Sequence, residues 1–312
     1  MFEIVRYSTE RKNEWNQYVQ NAKNATFLFL RDYMEYHADR FEDYSLMFYR
    51  KGKLYALLPG NAHGEVFYSH QGLTYGGLIM NSKVTVSDTV ELFQEMNNYL
   101  KEQLFKKVVY KAVPWIYHVQ PSQEDLYAIF RCCDARIIGC NIGSTVVENN
   151  RIKFIESRKS GIRKAIANGI TYRESDDYAS FWDILDTNLK NKYGAKPVHT
   201  LEEIELLKTR FPNNIKLYLS YKDEKPLGGT VLYLSKQVVH TQYISASLEG
   251  KEEGALDILF DYLVNQEYVN YQYFDFGPST EDMGRGLNES LIFQKEGFGG
   301  RGMVNEIYEW EL

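Results

Sequence analysis

Apolar residues recur along this chain at two spacings, one helical and one alternating. Over 87–103 the spacing is helical. Val90, Leu92, Phe93, Met96 and Leu100 form one face, and Ser87 stands where a cap is expected. Shorter helical patterns cover 14–21 and 31–39. Residues 44–50 and 53–58 read as strands around the turn Lys51-Gly52, and 66–79 is strand-like. A further strand is expected at 107–113, ending before Pro114, which has no ladder donor to offer.

The same order then returns. Helices are expected at 178–192 and 201–209, and strands at 215–221, 227–234 and 237–245. A helix over 254–264 buries Ala255, Leu256, Ile258, Leu259, Phe260 and Leu263, and a strand follows at 271–276. The first meander strand recurs after 171 residues, the long helix after 166 and the closing strand after 164. Such near-constant offsets predict a duplicated α/β (α+β) unit. Two domains are expected, 1–140 and 141–312, with the boundary somewhere in 125–175 and a basic helical linker at 151–170. Within that linker Arg151, Lys153, Arg158, Lys159, Arg163 and Lys164 face a single Glu156, while Gly161 weakens the helix and Gly169 is a natural stop. The cluster suits either a phosphate-bearing substrate or a solvated face with local ion pairs.

Composition narrows the class. The 312 residues are 44% hydrophobic and 25% charged, an ordinary globular balance that argues against disordered, collagenous or coiled-coil chains. The net charge of -6 gives no reason to expect a DNA binder. Three cysteines, Cys132, Cys133 and Cys140, make neither a paired framework nor a zinc spacing, so buried spectators in a reducing compartment are expected. The start of the chain lacks a signal-peptide pattern and no apolar run reaches 18 residues, so a cytoplasmic location without a transmembrane segment is expected.

Candidate chemistry concentrates in the second half. Residues 238–245 form a strand, followed by a turn and a helix start that contain Gly250, Gly254 and Ala255. A helix start offers unpaired N–H groups to an anion, although Glu249, Glu252 and Glu253 oppose one. Strict alternation along the strand puts His240 and Gln242 on one face and Tyr243 and Ser245 on the other. Asp275 lies inside an aromatic strand broken by Gly277-Pro278, placed to orient a donor, to face a cleft or to cap the next loop. Beyond it the chain is rich in glycine, and Asn288 and Lys295 lie two helical turns apart. Lys295 could offset charge on an acyl-transfer intermediate. Tyr75, in a Tyr-Gly-Gly turn of the first half, suits an acceptor cleft or a plain turn. The remaining histidines, His37, His63, His70, His118 and His199, make no metal string, so no metal is expected; His118 and His199 read as loop residues without catalytic duty.

Several of these segments together carry a resemblance. They are Val239-His240-Thr241-Gln242-Tyr243, Ser245 through Gly250, Gly254 through Asp257, Tyr273 through Gly277, Gly286-Leu287-Asn288, Leu291-Ile292, Lys295 and Phe298-Gly299. The chain resembles the FemAB/FemX-like branch of the GNAT acyltransferase superfamily, the type of aminoacyltransferase that builds peptidoglycan bridges. The resemblance implies two tandem GNAT-like domains, each a mixed, mostly antiparallel sheet flanked by helices. It implies attack by an acceptor amine on an activated acyl carbonyl. Catalytic roles would fall to Lys295, Asp275 and Tyr243, and donor binding to Ser245, Gly250, Gly254 and Ala255. Acceptor or phosphate binding would fall to Tyr75, Arg158, Arg163, Arg285 and Asn288. No tightly bound cofactor is implied; acyl-CoA or aminoacyl-tRNA would be the co-substrate, and the acceptor a small or nucleotide-linked molecule such as a cell-wall precursor. Two other readings stand beside it: an acetyl-CoA-dependent N-acetyltransferase of a small amine or amino sugar, and a non-catalytic ligand-binding or partner-binding protein of the same fold. The oligomeric state is left open.

Overall fold

The computed structural model describes residues 1–312, the side chain of Tyr193 excepted. Its contacts divide the chain into two compact units. The first holds Met1–Asn141, Glu281–Gly286 and Val304–Leu312; the second holds Ile142–Thr280 and Leu287–Met303. A division into two continuous ranges misses these late returns of the chain to the first unit.

In the first unit β1 (Glu3–Arg6), α1 (Lys12–Asn21) and α2 (Arg31–Met34) precede β2 (Glu42–Asp43), β3 (Leu46–Arg50), β4 (Lys53–Leu58), β5 (Asn61–His63), β6 (Val66–Tyr68) and β7 (Ile79–Met80). Then come α3 (Val86–Glu102), β8 (Lys107–Lys111), α4 (Glu124–Cys132) and the start of β9 (Arg136–Val147). Strands β1, β3, β4 and β7 form one antiparallel sheet. Strands β6 and β8 pair in parallel, with α3 as the crossover. Helix α3 lays Leu92, Phe93, Met96 and Leu100 into a core with Phe48, Leu58, Phe67 and Tyr110. Its cap is Thr85, whose side chain accepts from the Asp88 N–H at 3.3 Å, rather than Ser87. The expected helix over 31–39 is one short turn followed by a 3-10 turn over Glu35–His37. The expected long strand at 66–79 stops at Tyr68, before a turn at Gly72 and an irregular stretch through Gly76 and Gly77. Among the cysteines Cys133 is buried, Cys132 half-buried and Cys140 exposed, so the last is no buried spectator.

In the second unit the rest of β9 leads to α5 (Glu156–Ala167), β10 (Thr171–Ser175), α6 (Tyr178–Tyr193), α7 (Leu201–Arg210), β11 (Ile215–Lys222), β12 (Lys225–Leu234) and β13 (Val238–Ala246). Next come α8 (Leu248–Glu252), α9 (Ala255–Tyr262), β14 (Tyr273–Pro278), the short β15 (Thr280–Glu281) and β16 (Gly286–Leu287), α10 (Glu289–Gly297) and β17 (Arg301–Glu311). Asp177 caps α6, and Thr200 with Glu203 forms a capping box on α7. The helical part of 151–170 is α5 alone; Gly169, at φ +70°, ends it. The sheet runs β10–β11–β12–β13–β14–β9, antiparallel except for β13 beside β14. Helix α9 buries Leu259 and Phe260 against Leu232, Val239, Phe274, Phe276 and Phe298. The β13–α9–β14 crossover thus repeats the β6–α3–β8 crossover of the first unit.

Among the described residues no helix is long and apolar enough to cross a membrane, and no group of three His, Cys, Asp or Glu residues could hold a metal ion.

Candidate functional site

Strands β13 and β14 stay paired over three rungs only: Val238 with Tyr273, Val239 with Phe274 and His240 with Asp275. Beyond that rung they part, and β13 continues beside β12 while β14 continues beside β9. A cleft of about 1070 Å³ lies where they separate. Its walls include Leu185, Ile244, Phe260, Phe276, Leu291 and Phe298, with Lys295 among them, and Lys192, Lys225, Lys251 and Glu249 also line it. The volume is at the upper end of the range for small-molecule sites.

Lys295 is the charged group set deepest in this lining. It sits in the last turn of α10 and is 5% exposed. Its Nζ donates to the carbonyl oxygens of Gly277, at 3.0 Å, and Pro278, at 2.6 Å. An ammonium has three donors, so one remains for a ligand in the cleft. Burial pushes its pKa down to about 8, against the opposing pull of Asp275. The cation is therefore still the main form at neutral pH. Phe298, three residues on, stacks on Phe276 at 5.6 Å and meets Phe260 at 5.2 Å, which anchors the end of α10.

A second polar group lies at the last paired rung. Asp275 is 2% exposed; its Oδ1 accepts from Thr145 Oγ1 at 2.8 Å, and its Oδ2 is 2.7 Å from His240 Nδ1. Gly277 has φ +68°, and a Cβ there would stand 3.0 Å from His240 Cε1. The imidazole therefore packs on the residue whose carbonyl holds Lys295.

The faces of β13 differ from strict alternation. Val231 pairs with Tyr243 and Leu232 with Thr241, so Gln242 is bulged out of the ladder. One extra residue flips everything after it. His240, Tyr243 and Ser245 now lie opposite Tyr233, Val231 and Gly229, alternate residues of β12, and so share one face. That face meets α6. Tyr243 packs on Trp182, and its hydroxyl is 2.6 Å from His199 Nδ1. Burial pushes the Tyr243 pKa up to about 12. His199, expected to be an idle loop residue, is buried and holds this tyrosine. Asn188 of α6 donates to Ser245 Oγ and to the Ala246 carbonyl, both at 2.8 Å, and accepts from Lys251 at 3.0 Å. Asn188, which α6 places in the cleft lining, and His240, which the register sets beside Asp275 and against Gly277, are not marked out by local sequence pattern.

The other candidates have plainer settings. Ser245 lines the cleft, whereas Gly250, Gly254 and Ala255 do not. Gly250 presses on the Leu227 carbonyl. Gly254, at φ +73°, presses on the Gly161 carbonyl of α5, and Ala255 is fully buried. Glu249 pairs with Lys225 at 2.7 Å and Glu253 with Lys222 at 2.9 Å, so these acids are answered locally. Arg158 bonds Asp257 at 2.7 Å, and Arg163 bonds Glu156 at 2.6 Å. Asn288 caps α10. Arg285 is exposed and belongs to the first unit. Tyr75, also in the first unit, is buried with its hydroxyl 3.1 Å from Thr26 Oγ1.

No protein-family model and no curated protein matches the chain. Solved structures do. The chain is similar to FemX, with a TM-score of 0.72 at 11% identity, covering 99% of this chain and 97% of that one. It is similar to L-PGS from Bacillus licheniformis, with a TM-score of 0.62 at 12% identity, covering 98% and 92%. It is also similar to a tandem GNAT protein from the clavulanic acid biosynthesis pathway, with a TM-score of 0.51 at 10% identity, covering 100% and 98%. Identities this low speak for the fold alone, and the chain has the tandem GNAT-like fold, two α+β units with mostly antiparallel sheets flanked by helices.

Proposed function

We propose that the protein is an amide-forming acyl or aminoacyl transferase whose donor occupies the cleft between β13 and β14. One observation carries the reading: the two strands part after three rungs around a cleft whose apolar walls hold a buried lysine with a spare donor, with further lysines also lining it. An acyl group and part of its carrier match that lining. When an amine attacks the acyl carbonyl, negative charge develops on the carbonyl oxygen, and a cation fixed in a site of low dielectric lowers the barrier. Lys295 serves as that cation in this reading. The lysines of the cleft favour a carrier that bears phosphate, which both coenzyme A and the tRNA 3′ end provide.

The resemblance to the FemAB/FemX-like branch favours aminoacyl-tRNA as donor and a nucleotide-linked cell-wall precursor as acceptor, and the likeness in fold to FemX agrees with that branch. The likeness to a tandem GNAT protein keeps acetyl-CoA and a small amine as the second reading. The test incubates the purified protein with acetyl-CoA, longer acyl-CoAs and a panel of charged tRNAs, each with amine acceptors, and weighs the products. A new amide with one donor class selects between the readings. Donor turnover with none of them, alongside a cleft that binds no carrier, rejects the transferase reading in favour of a binding protein.

A further inference from the structure

We infer that His240 is the general base that takes the proton from the attacking amine, with Asp275 and Thr145 holding it in place. This rests on the acyl-transfer reading and adds a residue to it. The β13–β14 rung sets His240 directly beside Asp275, and the carboxylate has both oxygens engaged, Oδ2 by His240 Nδ1 at 2.7 Å and Oδ1 by Thr145 Oγ1 at 2.8 Å. A carboxylate at Nδ1 holds the neutral imidazole as the Nδ1–H tautomer, so the lone pair sits on Nε2. Among the described residues Nε2 has no hydrogen-bond partner, and the side chain keeps 13% exposure while Asp275 keeps 3%. A histidine kept only for packing would have no need of a buried carboxylate on one nitrogen and an open lone pair on the other.

Position supports the role. His240 occupies the last rung before the strands part, two residues ahead of the Gln242 bulge. Its ring packs on Gly277, and the Gly277 carbonyl accepts from Lys295. Base and cation therefore flank a single residue of β14. In the reaction the amine nitrogen bonds to the acyl carbon, and the carbonyl electron pair moves to oxygen beside Lys295. The amine proton passes to Nε2. The C–S or C–O bond to the carrier then breaks, the carrier leaves with the electron pair, and the imidazolium returns the proton to it through water. Amine and acyl donor become amide and protonated carrier, with no oxidant or further reactant.

The experiment measures single-turnover transfer with the donor selected by the panel, for the wild-type protein, His240→Ala and Asp275→Asn. His240→Ala is expected to lower the rate about 10²–10⁴-fold with little change in donor KM, and added imidazole to restore part of it. Asp275→Asn is expected to lower the rate less, and nitrogen-15 spectra of the histidines to show the His240 proton leaving Nδ1 in that variant. A wild-type spectrum with the proton on Nε2 overturns the inference, whether or not either variant folds. So does a folded His240→Ala protein whose rate stays within about threefold of wild type, or one that imidazole leaves unchanged. Wild-type protein that transfers from no donor rejects the acyl-transfer reading itself, whereas transfer that is indifferent to His240 rejects the base alone.

Discussion

Lys295 joins the two properties that a residue-scale account needs, burial and an unanswered donor. Its replacement by methionine keeps much of the volume and removes the charge. Single-turnover transfer by Lys295→Met at saturating donor is expected to fall about 10²–10³-fold, the usual cost of one lost oxyanion donor. Unchanged chemistry would reject the role. The same residue makes a stability prediction with a definite sign. Its pKa is near 10.5 in the unfolded chain and about 8 in the folded one. Between those values the unfolded chain holds the proton and the folded chain has lost it, so stability rises with pH across the window. Below pH 8 both states are protonated and the full burial cost applies. The stability of Lys295→Met relative to wild type should therefore decline by about 2 kcal/mol between pH 7.5 and 9.5, at 1.36 kcal/mol per unit. Urea unfolding of both proteins at the two pH values checks this.

At the scale of elements the contact between α5 and α9 explains two glycines that look like liabilities. A Cβ on Gly161 would meet Asp257 Oδ2 at 1.9 Å, and one on Gly254 would meet the Gly161 carbonyl oxygen at 2.5 Å. The helices come this close because neither has a side chain there, and Arg158 then reaches Asp257. Helix propensity alone says that Gly161→Ala gains about 1 kcal/mol. The packing says that it loses stability instead, since Asp257 is tied to Arg158 and its Cγ lies 2.7 Å from the new Cβ. Gly254→Ala, at φ +73° and against backbone, should cost about 1–3 kcal/mol or more. Urea midpoints decide both. Lower midpoints for both variants support the close contact, and a gain for Gly161→Ala refutes it. Strand β13 carries the matching lesson for sheets: the Gln242 bulge, invisible to a count of alternate residues, puts His240 on the same face as Tyr243 and Ser245.

For the whole molecule, the last strand ties the end of the chain to its first unit. Ile307, Tyr308, Glu309 and Trp310 of β17 pair with Lys111, Tyr110, Val109 and Val108 of β8, and Trp310 is 2% exposed in the first unit's core. A chain ending at Met303 should lose cooperative unfolding of the first unit, and Trp310→Ala should cost about 3–5 kcal/mol, both read by urea denaturation. Full cooperativity in the shortened chain would show that the first unit is complete without β17. Periodicity was enough to find the long helix α3, the β11–β12–β13 meander and the repeated order of elements, because one face of each is apolar at a local spacing. Residue type brought out Asp275 inside its aromatic strand, whereas Lys295, between Gln294 and Glu296, was singled out by the family resemblance and not by any periodicity. Strand β17 has no clear local alternation and is held by its long-range pairing with β8, whereas helix α4 does carry a helical apolar pattern that the sequence reading passed over. What a chain decides by itself is which residues share a short-range rhythm. Which strand lies beside which, where a bulge turns a face over, and hence that His240 meets Asp275 and Lys295 meets the Gly277 carbonyl, depend on contacts between distant residues, and only the folded structure supplies them.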